Sequence, residues 1–276
     1  MPKVTVNGIH IYYEIHGQGE PLVDINGGGQ SVDFLSVQAL IPIYSRDYRF
    51  VLFDNRGAGQ TEAPDISFTT QEVADDLSGL LDAIGIDSAH IRGFSMGGMI
   101  AQMFALRYPE KVRSLILACT YCGGPHSVPV TQEMLGIMDL ERTQKMTPEE
   151  IARETLSIIL TKEFIQKNPV LYGQLLASLT EKAREFAATF AKQKAASLNH
   201  NSYERLPEIK APTLVIAGDS DNSIPVENSR ILASRIPNAE LVILKNAGHL
   251  LVEAGEEPHK VILDFLKRNS LSRKEE

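Results

Sequence analysis

Apolar and polar positions alternate at the start of the chain and then collect into short unbroken runs. Val4-Thr5-Val6 and Ile9-His10-Ile11-Tyr12-Tyr13 read as two strands, and Asn7-Gly8 between them suits a type I′ turn, so the chain opens on an antiparallel hairpin. Six buried runs follow: Leu22 to Ile25, Phe50 to Phe53, His90 to Arg92, Leu115 to Ala118, Thr213 to Ala217 and Leu241 to Leu244. Continuous apolar runs separated by helical patterns belong to parallel sheets covered on both faces. The expectation is an α/β fold with a mostly parallel eight-stranded sheet, the N-terminal hairpin included.

Three helices of that core carry their own boundaries. Thr69 and Glu72 have capping-box spacing ahead of Val73, Leu77, Leu80, Leu81 and Ile84, and Gly85 ends the stretch. A second helix runs from Met96 to about Arg107 and stops before Pro109, and a third carries Val261, Ile262, Phe265 and Leu266. After Cys122 the rhythm breaks. From Gly123 to Leu206 the pattern is helical only, with Thr147-Pro148-Glu149-Glu150 and Asn168-Pro169 as helix starts. That is too long for a connection. Residues 1–122 and 207–276 are therefore expected to form the core, and 123–206 a helical lid over the C-terminal edge of the sheet, where ligands bind in open α/β folds.

Composition narrows the function classes. The 276 residues are 43% hydrophobic and 22% charged with a net charge of -8, values that exclude disorder and, with Lys and Arg scattered, offer no basic stripe for nucleic acid or a membrane surface. Met1-Pro2-Lys3-Val4 leads straight into strand pattern without a leader-like apolar stretch, which gives a cytoplasmic expectation. Cys119 and Cys122 are the only cysteines. Their C-x-x-C spacing fills half a zinc site with no second pair to complete it, and Cys119 ends an apolar run rather than opening a helix, so both read as ordinary buried thiols.

Candidate chemistry begins at Gly93-Phe94-Ser95-Met96-Gly97. About one chain in ten of this length would hold such a pentapeptide by chance, but this one falls between a strand and a helix, the setting of a nucleophile elbow. A serine hydroxyl needs a base, and the base an orienting carboxylate. Of seven histidines, His249 in Asn246-Ala247-Gly248-His249 follows the last strand and shares the sheet edge with Ser95. His126 and His200 border the lid and read as solvated surface histidines. The loop after Gly218 offers Asp219 and Asp221 in the order Ser, Asp, His. Asp221 is preferred, and Asp219 instead suits an Asx-type turn. An oxyanion needs two N–H donors. Met96, behind the serine, supplies one, and Gly28 in Asn26-Gly27-Gly28-Gly29-Gln30 the other. No Gly-Lys-Ser/Thr or G-x-G-x-x-G accompanies these glycines. No cofactor or metal is expected.

From the hairpin to the final helix the chain resembles the α/β-hydrolase superfamily, in particular lidded carboxylesterases and 3-oxoadipate enol-lactonase-like serine hydrolases. The resemblance runs through Phe53-Asp54-Asn55-Arg56-Gly57, Gly93-Phe94-Ser95-Met96-Gly97-Gly98, Gly218-Asp219-Ser220-Asp221 with Pro225, and Gly248-His249. It implies that Asp221 is the catalytic acid, that Asp54 and Arg56 are structural, and that the partner is a small ester or lactone taken by a monomer or homodimer. Many relatives have His-Gly where this chain has Asn26-Gly27, and Asp24 is unusual inside an apolar strand, calling for a partner near Asn26 or an exposed strand end. A serine at the elbow disfavours the members that use an aspartate nucleophile. The alternatives are a C–C bond hydrolase with the same triad, and a ligand-binding or signalling protein that keeps the triad with little turnover.

Overall fold

A computed structural model describes residues 2–63 and 67–270. Strands β1 (Lys3–Val6) and β2 (Ile9–His16) pair antiparallel with Val6 opposite Ile9, and Asn7 and Gly8 take φ of 49° and 79°. Positive φ at both positions is the type I′ requirement, and asparagine and glycine meet it at least cost. Strands β3 (Glu20–Ile25), β4 (Tyr48–Phe53), β5 (Ala89–Phe94), β6 (Val112–Ala118), β7 (Thr213–Gly218) and β8 (Ala239–Leu244) complete the sheet. The order is β1-β2-β4-β3-β5-β6-β7-β8, antiparallel as far as the β2–β4 pair and parallel beyond it. All six later strands therefore end at one edge.

Short helices α1 (Leu35–Gln38) and α2 (Ile41–Tyr44) connect β3 to β4, α3 (Thr70–Ala83) follows β4, and α4 (Met96–Arg107) follows β5. The Thr69–Glu72 capping box forms at the start of α3 and Gly85 sits just past its end at φ 69°, as the pattern demands. Between β6 and β7 come α5 (Gln132–Ile137), α6 (Leu140–Gln144), α7 (Pro148–Ile159), α8 (Lys162–Lys167) and the 30-residue α9 (Pro169–Leu198). Helix α10 (Glu227–Arg235) joins β7 to β8, and α11 (Glu257–Arg268) comes last.

Side chains alternate across each strand, so the sheet has two apolar faces. Val23, Ile25, Ile91 and Leu117 pack with Leu77, Leu80 and Ile100 of α3 and α4, while Leu22, Leu52, Ile116 and Ile216 pack with Ile262, Phe265 and Leu266 of α11. Helices cover both faces. The five-helix insertion joins the core at a narrow neck, where Gly123 bridges Asn201 and Ser202 N donates to Cys122 O at 2.9 Å. Among the described residues, no helix is long and apolar enough to cross a membrane.

Candidate active site

Ser95 follows the last residue of β5 and precedes the first of α4, at φ 54° and ψ -119°. Residues with a side chain rarely adopt positive φ, and holding one there costs about 1–3 kcal/mol, so the neighbours must fix it. Ser95 N donates to Ala118 O at 2.9 Å, and Thr120 Oγ1 donates to Ser95 O at 2.7 Å. The flanking glycines are steric necessities. A Cβ on Gly97 would lie 2.0 Å from Ile25 O, and one on Gly93 2.3 Å from Gly97 O. The turn lifts Ser95 to the mouth of α4, where the first N–H groups lack intrahelical acceptors and carry the positive end of the helix dipole. Met96 N is the first of them.

His249 lies beyond β8 in a loop sewn to the loop after β7. Asp219 Oδ1 accepts from Asn246 N at 2.7 Å, Ser220 N donates to Ala247 O at 3.0 Å, and a Cβ on Gly218 would stand 2.0 Å from Ala247 O. Asp219 thus holds the two loops together across 27 residues rather than closing an Asx turn on itself. Asp221 points the other way. Its Oδ1 accepts from Ser223 N at 2.8 Å and Ile224 N at 2.9 Å, and its Oδ2 lies 2.7 Å from His249 Nδ1. Both side chains are buried, which strengthens a charge-assisted bond and fixes the imidazole with Nε2 outward. Phe94 packs on the imidazole, ring centroids 4.9 Å apart.

The loop after β3 is organised around one unengaged amide. Gly27 N donates to Gln30 Oε1 at 3.2 Å and Gly29 N to Gln193 Oε1 at 2.9 Å, while Gly28 N, between them, has no acceptor among the described residues. A Cβ on Gly28 would strike the Phe190 ring at 2.4 Å. Gln193, in the C-terminal part of α9, also donates to Arg56 O at 3.3 Å and so ties the insertion to this loop. A glutamine inside a helix gave no sequence signal.

Gly28, Ser95 and His249 line one cavity of about 80 Å³, roofed by Leu156, Leu179, Phe186 and Phe190 of the insertion. Among the described residues, no Asp, Glu, Lys or Arg lines it. The Ser95 hydroxyl opens into this space without a hydrogen bond to a described residue; serine–histidine bonds often tighten only when substrate is bound.

Cys119, in a left-handed turn (φ 48°) at the end of β6, places its sulfur within 4.8 Å of the Asp221 and His249 ligand atoms. The spacing had not placed it there. The donors fit a metal poorly: burial pushes the Cys119 thiol up, away from the thiolate that would bind a metal, and the Asp221 oxygens are already taken by His249 and two amides. Both cysteines are free and buried, as expected of ordinary thiols.

The remaining candidates separate cleanly. Asp54 accepts from Val32 N at 2.7 Å and Gln60 N at 2.8 Å, and Arg56 grips Asp76 with two bonds of 2.8 Å, both structural roles. Burial pushes the Asp54 carboxyl up to about 6. His126 stacks on Tyr203 at 4.1 Å on the surface, away from the cavity. His200 corrects the surface expectation. It is buried where the insertion rejoins the core, 3.0 Å from Thr70 Oγ1, and burial lowers its pKa to about 3. Asp24 is explained by a buried ion pair with Arg92, its register partner on β5.

An elbow serine, a buried Asp–His pair and two amide-bearing turns at one edge of a doubly covered parallel sheet define the class: an α/β-hydrolase. Residues 20–256 match the family model for the alpha/beta hydrolase fold. The chain belongs to that family and is a hydrolase. A poly(3-hydroxyalkanoate) depolymerase of Ectopseudomonas oleovorans is 31% identical, covering 90% of this chain and 84% of its own. A 2-hydroxy-6-oxononadienedioate/2-hydroxy-6-oxononatrienedioate hydrolase of Burkholderia vietnamiensis is 30% identical, covering 94% and 92%. The crystal structure of an enol-lactonase from Burkholderia xenovorans superposes with a TM-score of 0.80 at 25% identity, covering 96% of this chain and all of that one.

Proposed function

We propose that the protein is a serine hydrolase that cleaves a small carboxylic ester or lactone through an acyl-enzyme on Ser95, with residues 123–206 as its lid. The observation that carries this reading is the 2.7 Å Asp221–His249 contact, buried beside a cavity that also holds a positive-φ serine. Ser95 Oγ attacks the carbonyl carbon while His249 Nε2 takes the hydroxyl proton and Asp221 steadies the imidazolium. The carbonyl oxygen becomes an anion held by the Gly28 and Met96 amides, whose dipoles are already oriented. Collapse breaks the bond to the alkoxy group, which leaves with the proton from His249. Water then attacks the acyl carbon, giving its proton to His249, and Ser95 departs reprotonated. The uncharged, apolar cavity wall fits an apolar acyl group.

Turnover of short p-nitrophenyl esters by wild type and Ser95→Ala tests the assignment, with a loss of roughly 10⁴ to 10⁶-fold expected. A fluorophosphonate probe should label Ser95 alone, read by peptide mass spectrometry. Equal turnover by both proteins, with no label on Ser95, would defeat the proposal. The relative from Burkholderia vietnamiensis favours a second reading, cleavage of a C–C bond beside a ketone by the same groups. Turnover of a vinylogous diketone but of no ester would establish that reading instead.

A further inference from the structure

Behind Phe94 lies a second chamber that the acyl-transfer scheme does not use. It measures about 400 Å³ against about 80 Å³ for the first, and the two share Gln30, Leu35, Ser36, Phe94, Leu175 and Leu250 as walls. A molecule in one therefore borders the other. Exposed Leu35, Leu171 and Val252 also line the larger chamber, so it opens outward between apolar lips.

Its floor holds charge where strands normally hold none. Arg92 and Asp24 face the chamber from neighbouring strands, and among the described residues they are its only Asp, Glu, Lys or Arg lining groups. Arg92 is 8% exposed. Among the described residues its one hydrogen bond runs from Nη1 to Asp24 Oδ1, and Nε is buried without an acceptor. The pairing thus engages Nη1, and Nη2 is left as the reachable donor with no acceptor among the described residues. A guanidinium Nη–H without an acceptor donates to a carboxylate through a short, charge-assisted bond.

The surroundings favour an anion. His259 lines the same chamber with Nδ1 3.1 Å from Tyr44 Oη, and burial lowers its pKa to about 4, so it is neutral near pH 7. Burial likewise pushes the Asp24 carboxyl up, while Arg92 stays protonated. The positive charge of Arg92 is thus the fixed one.

We propose that this chamber is a second substrate subsite in which Arg92 receives a carboxylate, so that the natural substrate is an ester or lactone carrying an anionic end. The proposal rests on the Ser95 reading and adds the substrate class. Arg92 precedes Ser95 by three strand positions, about 10 Å of chain, which sets the separation between the reacting carbonyl and the anionic end.

The test compares p-nitrophenyl hemiesters of adipic, suberic and sebacic acid with the same compounds capped as methyl esters. Wild type should favour the free carboxylate at least tenfold in kcat/KM, with a length optimum. Removing Arg92 alone would strand a buried Asp24 and risk unfolding, so the variant is the paired Asp24→Leu/Arg92→Met, which replaces a buried ion pair by apolar groups of similar volume. The preference should fall to near parity in that variant. A wild type that favours the capped twin, or a preference that the paired variant leaves unmoved, overturns the proposal. Calorimetric titration of Ser95→Ala with suberate, with and without the paired substitution, needs no turnover. If wild type cleaves neither ester while suberate binds only with Arg92 present, the Ser95 chemistry fails and the subsite stands; no suberate binding together with no carboxylate preference removes the subsite alone.

Discussion

Two aspartates two positions apart do different work because their side chains face different loops. Asp221 meets His249, whereas Asp219 meets the backbone of Asn246. Asp221→Asn should keep the fold and lower kcat by about 10⁴, since the amide favours the wrong imidazole tautomer. Asp219→Ala should cost about 1 kcal/mol of stability, one hydrogen bond's worth, with less than a tenfold loss of kcat. Steady-state kinetics and urea denaturation of both variants check the division, and the reverse pattern would reassign the acid. Ser95 and His249 were legible in the sequence because a strand end followed by a turn fixes where a loop residue must lie. Arg92 was not. An arginine in an apolar strand reads only as an anomaly, and its partner is 68 residues away.

At the scale of elements, helix boundaries were legible wherever capping was local. Thr69 with Glu72, and Thr147 with Pro148 and Glu150, act within a single turn. His200 shows the opposite case, since its burial depends on the return of α9 to the start of α3, which no local pattern encodes. That burial has a pH consequence. With a folded pKa of about 3 against 6.5 unfolded, the unfolded chain binds the extra proton first as pH falls. Stability from neutral His200 is fully present above about 6.5 and drains away toward pH 3, by at most about 1.4 kcal/mol per unit. Thermal melts between pH 7.5 and 4.5 should therefore show a shallower slope for His200→Gln than for wild type. Parallel slopes would mean that His200 is not buried neutral.

Across the whole molecule, the eight-stranded, mostly parallel sheet and the helical stretch between its strands followed from the alternation of strand and helix patterns, but the strand order and the seams that anchor the insertion did not. One seam is Asn228 of α10, which accepts from Val128 N at 2.9 Å and donates to Val128 O at the same distance, 100 residues apart. Asn228→Ala should leave two backbone groups of the segment before α5 without partners and cost about 1–3 kcal/mol. Limited proteolysis should then cut first between 124 and 131, at a rate well above wild type; an unchanged pattern would show that the apolar contacts of α5 suffice. The neck between Gly123 and Asn201 has a further consequence. Because the chain leaves and re-enters the core at one hydrogen-bonded point, every strand pairing lies outside the intervening segment. The roof is topologically a cassette: it can lengthen, shorten or be exchanged without disturbing the register of the sheet. In such a molecule the choice of what is cleaved can drift while the machinery of cleavage stays in place.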